Sequence, residues 1–246
     1  MNFDPFNDFK TRGYLRNHAG EKDPRLVRDF EHRAFKSNIK KALDRLAESD
    51  WLSYDDLLGT HKILFEAVYP WAGLDRAHTA PHIAVRRGDV IFAHPKDAKH
   101  AADYALKRGQ DIDFMASKPG EVMSYLAHAH PFLDGNGRAI LTVHTELAQR
   151  AGVSIDWAAT SKSDYLTALT DDLRHPKSGT LDAYLVPFVR PAVGRANLAK
   201  HVVSTQGLAG GDYFPEVEYA QYAKTGAKAD KGGEYASRKN VPPKPL

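Results

Sequence analysis

Apolar residues recur three and four positions apart along most of the chain, which is the pattern of helices with one buried face. Residues 1 to 23 are polar and irregular. Asp23-Pro24 then reads as a helix start with proline at the first helical position. The run to about Ala47 carries Leu26, Val27, Phe30, Ala34, Phe35, Ile39, Leu43 and Leu46 on one face. Ser53-Tyr54-Asp55-Asp56 has the form of an N-cap with acids in the first turn. It opens a helix through Leu57, Leu58, His61, Leu64, Phe65 and Val68 that Pro70 ends. Further helices are expected over Lys96–Gln110, Glu121–His128, Ala139–Arg150 (stopped at Gly152), Ser163 to about Leu173, and Thr180 to about Val189.

Between Arg76 and Pro95 the period changes. His82-Ile83-Ala84-Val85 and Val90-Ile91-Phe92-Ala93 flank Arg86-Arg87-Gly88-Asp89, and read either as a hairpin or as a plain surface loop. A lone hairpin has to pack on something, and its free edge can pair with an extended peptide. The aromatic corner Tyr69-Pro70-Trp71-Ala72-Gly73 reads as tight packing. Beyond about Leu198 the periodicity fades into a stretch rich in glycine, proline and mixed charge. The expected layout is therefore one mainly helical domain over 1–198 and a flexible extension over 199–246.

Composition narrows the function less than the pattern does. The 246 residues are 42% hydrophobic and 26% charged, ordinary for a soluble globular protein. The net charge of +3 falls short of the dense basic stripe of a nucleic-acid binder, and Arg86-Arg87 alone reads as a solvated pair, so no nucleic-acid partner is expected. No apolar run reaches membrane-spanning length and no secretory leader is visible, so the reading is a cytoplasmic protein without membrane contact. A translocated effector would look the same. With no cysteine, disulfides, zinc–thiolate sites and thiol nucleophiles are excluded.

The chemistry is concentrated in His130-Pro131-Phe132-Leu133-Asp134-Gly135-Asn136-Gly137-Arg138. The loop runs into the start of a helix, where unpaired N–H groups and the helix dipole favour a phosphate. Gly135 and Gly137 let the backbone approach a ligand, Asn136 can fix the loop with its amide, and Arg138 offers a permanent cationic fork. Asp134 would repel phosphates unless a Mg²⁺ ion stands between them. His130 has the proton affinity of a general base at neutral pH, and Phe132 reads as a buried anchor. Base, carboxylate and anion cradle together point to transfer of a phosphate-linked group to a hydroxyl.

The nine residues resemble the signature of the Fic family, HPFx[DE]GN[GK]R, at every specified position. Tyr69-Pro70-Trp71-Ala72-Gly73 is similar to the family's Trp-Ala-Gly corner, and the hairpin at 82–93 falls where Fic proteins carry a target-aligning flap. The resemblance covers about residues 50 to 190. It implies a Fic-type helical bundle with a small β-hairpin flap beside the active-site loop. It also implies a protein adenylyltransferase that moves AMP from Mg-ATP to a Tyr, Ser or Thr hydroxyl of a target protein. His130 would be the base, Asp134 would hold Mg²⁺, and Gly135, Asn136, Gly137 and Arg138 would bind the phosphates. Ile83 and Phe92 would be flap contacts to the target.

Two departures from the family pattern stand out. Leu141 occupies the place of the second arginine that holds the γ-phosphate in many AMP-transferring members. The family's inhibitory pattern [ST]xxxE[GN] is absent: Glu31 lies on a helix, but Val27 precedes it at that offset and His32 follows. The alternatives are therefore a kinase-type transfer, as in Doc-like members, and a non-catalytic nucleotide-binding module of a toxin–antitoxin pair. In the second case a small antitoxin would be the inhibitory partner.

Overall fold

The computed structural model describes residues 16–205 and 218–221. The irregular reading of the first fifteen residues, and most of the expected extension, fall outside these.

The helices form where the apolar period places them, and their ends are fixed by local chemistry. Helix α1, Pro24–Ala47, is capped by Asp23, whose carboxylate accepts from the Arg25 N–H. Helix α2, Tyr54–Phe65, starts at a reciprocal box: the Ser53 side chain and the Asp56 side chain each accept from the other's backbone. It ends at Phe65, five residues short of Pro70. The short helix α3, Arg76–Thr79, leads into the hairpin β1, Ile83–Arg87, and β2, Val90–Ile91. Helices α4, Ala98–Gly109, and α5, Ile112–Ser117, follow, then α6, Pro119–Ala129.

Helix α7, Asn136–Arg150, is the axis of the molecule. Every residue from Ala139 to Ala148 is buried, because α1, α2, α6 and the strand β3, Val153–Ile155, pack around it. A helix buried on all sides must hide its polar groups in pairs. Glu146, fully buried, takes Arg150 at 2.9 Å and Arg195 at 2.8 Å. Arg150 also donates to the carbonyls of Leu46, Ser49 and Asp50, which fastens α7 to the end of α1.

Helices α8, Lys162–Arg174, and α9, Thr180–Leu185, complete the bundle. The expected helix over Thr180–Val189 stops early. Its last turn tightens to a 3₁₀ turn at Val186–Phe188, with Pro187 inside it, and Val189–Pro191 becomes strand β4, antiparallel to β3. The packed body also continues past residue 198. Helix α10, Leu198–Val203, buries Leu198 and Val202, and the His201 Nε2–H donates to the Ile155 carbonyl at 2.7 Å. The hairpin exists, and its sheet has a third strand. Strand β5, Glu218–Gln221, pairs antiparallel with β1, giving the order β2-β1-β5.

Candidate active site

The motif loop joins α6 to α7, and its shape follows from three internal contacts. His130 ends α6 with φ of 40° and ψ of 56°, a left-handed conformation that few side chains adopt. Asn136 closes the loop by a two-way amide staple: its Oδ1 accepts from the Phe132 N–H at 2.9 Å and its Nδ2 donates to the Phe132 carbonyl at 2.8 Å. Gly135 has φ of 75°, and an added Cβ would meet Phe65 Cε2 at 2.7 Å and His61 Nε2 at 3.0 Å. Only glycine fits there, on both counts. Around Gly137, by contrast, an added Cβ would meet no protein atom within 4 Å. Gly137, in the first turn of α7, is therefore open on the side where a Cβ would stand.

His61 holds the loop from below. Its ring is fully buried and stacks on Phe132 with centroids 3.8 Å apart. Nδ1 accepts from the Gly73 N–H at 2.9 Å, so the ring proton sits on Nε2 and is donated to the Asp134 carbonyl at 3.0 Å. Burial pushes this histidine down to about 3, so it stays neutral. The aromatic corner thus acts on the motif through one ring. Trp71 stacks on Tyr69 at 4.2 Å, and Gly73 turns with φ of 81° to aim its N–H at His61.

Arg76 holds the loop from above. Fully buried, it donates to three carbonyls: His130 at 2.7 Å, Ile83 at 3.2 Å and Ala93 at 2.7 Å. Its own N–H reaches the Pro131 carbonyl at 2.7 Å. One side chain therefore ties both ends of the hairpin to the backbone of His130.

His130 itself is 7% exposed, and its ring stacks on Phe92 at 4.2 Å. Its Nε2 is buried with no hydrogen-bond partner among the described residues. An orphaned polar atom of this kind costs free energy and is usually explained by a ligand or a catalytic role. Burial, and then the charges of Arg76, Arg87 and His128, hold the imidazole well below its ordinary value. The result is a neutral ring whose Nε2 has no partner among the described residues.

Arg138 lies 2.8 Å from Glu31 of α1, and its guanidinium stands 4.7 Å over the Phe65 ring. Glu31 is 3% exposed and also accepts from the Tyr69 hydroxyl at 2.9 Å. Burial pushes Glu31 up, with Arg138 opposing in part. For Arg138 burial works against the charge, but Glu31 and Asp134 more than offset it and keep the guanidinium cationic. Asp134 is half-buried, and its Oδ1 accepts from the Gly135 N–H at 2.7 Å.

The Fic/DOC family model matches residues 51–148, which run from just before α2 through the motif to the end of α7. Residues 51–148 form a domain of the Fic/DOC family. The protein adenylyltransferase VbhT of Bartonella schoenbuchensis is 30% identical over 173 residues, 67% of this chain. This chain spans only 35% of VbhT's length. The probable protein adenylyltransferase y4lH of Sinorhizobium fredii is 29% identical over 63% of this chain and 81% of its own length. Among solved structures, the effector BepC of Bartonella tribocorum, with bound AMPPNP, superposes with a TM-score of 0.61. It shares 22% identity and covers 78% of this chain and 100% of its own, a likeness of fold.

Within the Fic domain the expected loop residues His130, Asp134, Gly135, Asn136, Gly137 and Arg138 come together at one end of α7. Ile83 and Phe92, the expected flap contacts, are both buried, at 7% and 3% exposure. Phe92 supports His130, and the large apolar side chain that the hairpin exposes is Ile91. Leu141 is buried in the core, Thr142 bonds the Arg138 carbonyl, and the His144 Nε2–H donates to the Pro119 carbonyl. None of them offers a cation to a triphosphate tail.

The sequence reading gave no site role to His61 or Arg76, and weighed Glu31 only against the inhibitory pattern. Glu31 had a signal. It falls midway between Val27 and Phe35 at four-residue steps, on the buried stripe of α1, where a lone carboxylate demands a partner. The family's inhibitory pattern is absent as expected, yet a glutamate engages the motif's arginine all the same.

Proposed function

We propose that this protein is an adenylyltransferase that moves AMP from Mg-ATP to a hydroxyl side chain of a target protein. The observation that carries the reading is the buried, unpartnered His130 Nε2 beside a glycine-lined helix start bearing Arg138. The adenylyltransferase names of VbhT and y4lH support AMP as the transferred group, and BepC, a neighbour in fold, has AMPPNP bound.

In this mechanism the His130 Nε2 takes the proton of the target hydroxyl. The oxygen attacks the α-phosphorus, a P–O bond to the protein forms, and the α–β bridging bond breaks to release pyrophosphate. The N–H groups at the start of α7 and the Arg138 guanidinium carry the phosphate charge. Asp134 fits Mg²⁺ as a single carboxylate beside the anion cradle. Among the described residues no cluster of three or more His, Asp or Glu could hold an ion by itself, so phosphate oxygens and water would complete the shell. When bound, the ion supplies charge neutralisation on the phosphates.

The target fits as an extended segment against the hairpin, by strand addition. A small inhibitory antitoxin belongs to the toxin–antitoxin alternative, in which nucleotide binds without turnover. Incubation with α-labelled ATP and a cell lysate tests the reading. Wild type is expected to label protein, and His130→Ala to lose roughly 10²-fold or more of the rate. Labelling that survives the substitution would remove His130 from the role of base.

A further inference from the structure

The edge of β1 that an incoming target would use is already filled by this chain. Residues 218–221 form an antiparallel ladder on it: Ile83 faces Gln221, Ala84 faces Ala220, Val85 faces Tyr219 and Arg86 faces Glu218. Backbone pairing of this kind is how an extended peptide is recognised at a sheet edge. Of the four residues, Glu-Tyr-Ala-Gln, only Tyr219 carries a hydroxyl.

The register places that residue across β1 from Phe92, the residue beside the proposed base. Phe92, whose ring stacks on His130, donates its N–H to the Val85 carbonyl at 3.0 Å, and Val85 pairs with Tyr219. Phe92, Val85 and Tyr219 thus form one row across the sheet, about two strand spacings, roughly 10 Å, from end to end. Val85, on β1, is the middle position of that row. Arg76 bonds the carbonyl of Ile83, at the start of the same strand, and that of His130, so the row is fixed relative to the base.

We propose that residues 218–221 are an intramolecular target strand and that Tyr219 is a self-modification site, its phenolic oxygen receiving AMP from ATP with release of pyrophosphate. The inference rests on the adenylyltransferase reading above. Twelve residues, 206 to 217, connect the strand to Thr205. A covalent tether of that length keeps the segment at roughly millimolar effective concentration, above what a free target reaches. A target protein must therefore displace β5 or wait for it to leave.

The experiment incubates the full chain with Mg²⁺ and α-labelled ATP, alone and with lysate, and maps the label by peptide mass spectrometry. The expected result is AMP on Tyr219, formed at a fractional rate independent of protein concentration. Tyr219→Phe is expected to abolish that label while still labelling lysate proteins. Ala220→Pro, which removes a ladder donor outside the helical body, is expected to slow self-labelling about tenfold, the worth of one or two backbone bonds. Labelled lysate proteins with an unlabelled Tyr219 would overturn the proposal and leave the adenylyltransferase reading standing. Label on Tyr219 that is indifferent to Ala220→Pro, or that rises in fractional rate with protein concentration, would overturn it too. No α-label on any protein would overturn both.

Discussion

At the scale of single residues, the site depends on histidines kept neutral by burial. His130 sits well below its ordinary value, so the proposed base is already deprotonated at mildly acid pH. The acid limb of kcat/KM is therefore expected below pH 6.5, the ordinary histidine value. A limb centred at that value would show that His130 is solvated in the working enzyme. His61, at about 3, and His144, at about 4, carry the same burial into stability. Their folded values lie below that of the unfolded chain, so the unfolded state takes up protons first as the pH drops. The stability they confer is whole above pH 6.5 and is lost progressively on the way down to 3 or 4. Between pH 7.5 and 5 each should cost about 2 kcal/mol of unfolding free energy. Urea unfolding at the two pH values measures this, and equal midpoints would contradict it.

Glu31 makes a separate prediction at this scale. It neutralises Arg138 when no phosphate is present. Glu31→Gln leaves the guanidinium short of a counter-charge and is expected to destabilise the free protein by roughly 3 kcal/mol. Phosphates can supply the missing charge, so the rise in Tm on adding Mg-ATP should be larger in the variant than in wild type. A smaller rise would mean that Glu31 helps the nucleotide bind.

At the scale of elements, hairpin and motif loop behave as one piece because Arg76 joins them. Replacing it by methionine keeps the bulk and leaves the carbonyls of His130, Ile83 and Ala93 without this donor. Each such carbonyl costs about 1–3 kcal/mol if nothing replaces the bond. Arg76→Met is thus expected to lower stability by roughly 3 kcal/mol or more, and to reduce kcat in the fraction that stays folded. Arg76→Lys, which can satisfy one carbonyl well, should fall between. Equal stability of the three proteins would refute the clamp.

The elements also show what a sequence can carry. The long helices were legible because an amphipathic period and a cap are local signals: Asp23-Pro24 and the Ser53–Asp56 box start α1 and α2 where the pattern puts them. The motif loop was legible for the same reason, since nine consecutive residues hold its chemistry. His61 and Arg76 were not, because their partners lie 73 and 54 residues away. On a helix, His61 reads as one more core position. Strands β3 and β4 are three residues each and exist only because they pair with each other.

At the scale of the whole molecule, α7 is the rigid axis, and the site is the end of that axis where the motif loop enters it. The helical packing around α7 sets the position of the motif loop, which Arg76 and His61 hold at the carbonyls of His130 and Asp134. The β2-β1-β5 sheet lies on the base side, and its outer strand comes from the chain's own C-terminal region. A pattern that fades after Leu198 gave no hint of this, because four residues with one apolar-polar alternation carry no period of their own. Leu141 stands where the resemblance to the Fic family leads one to expect a cation, so the transferred group is the point on which the account stands or falls.

Intact-protein mass spectrometry of a purified target, after incubation with this protein, ATP and Mg²⁺, tests that point most directly. The account predicts a mass gain of one AMP moiety, with pyrophosphate as the co-product and no gain with His130→Ala. A gain of one phosphate, with ADP as the co-product, would contradict it.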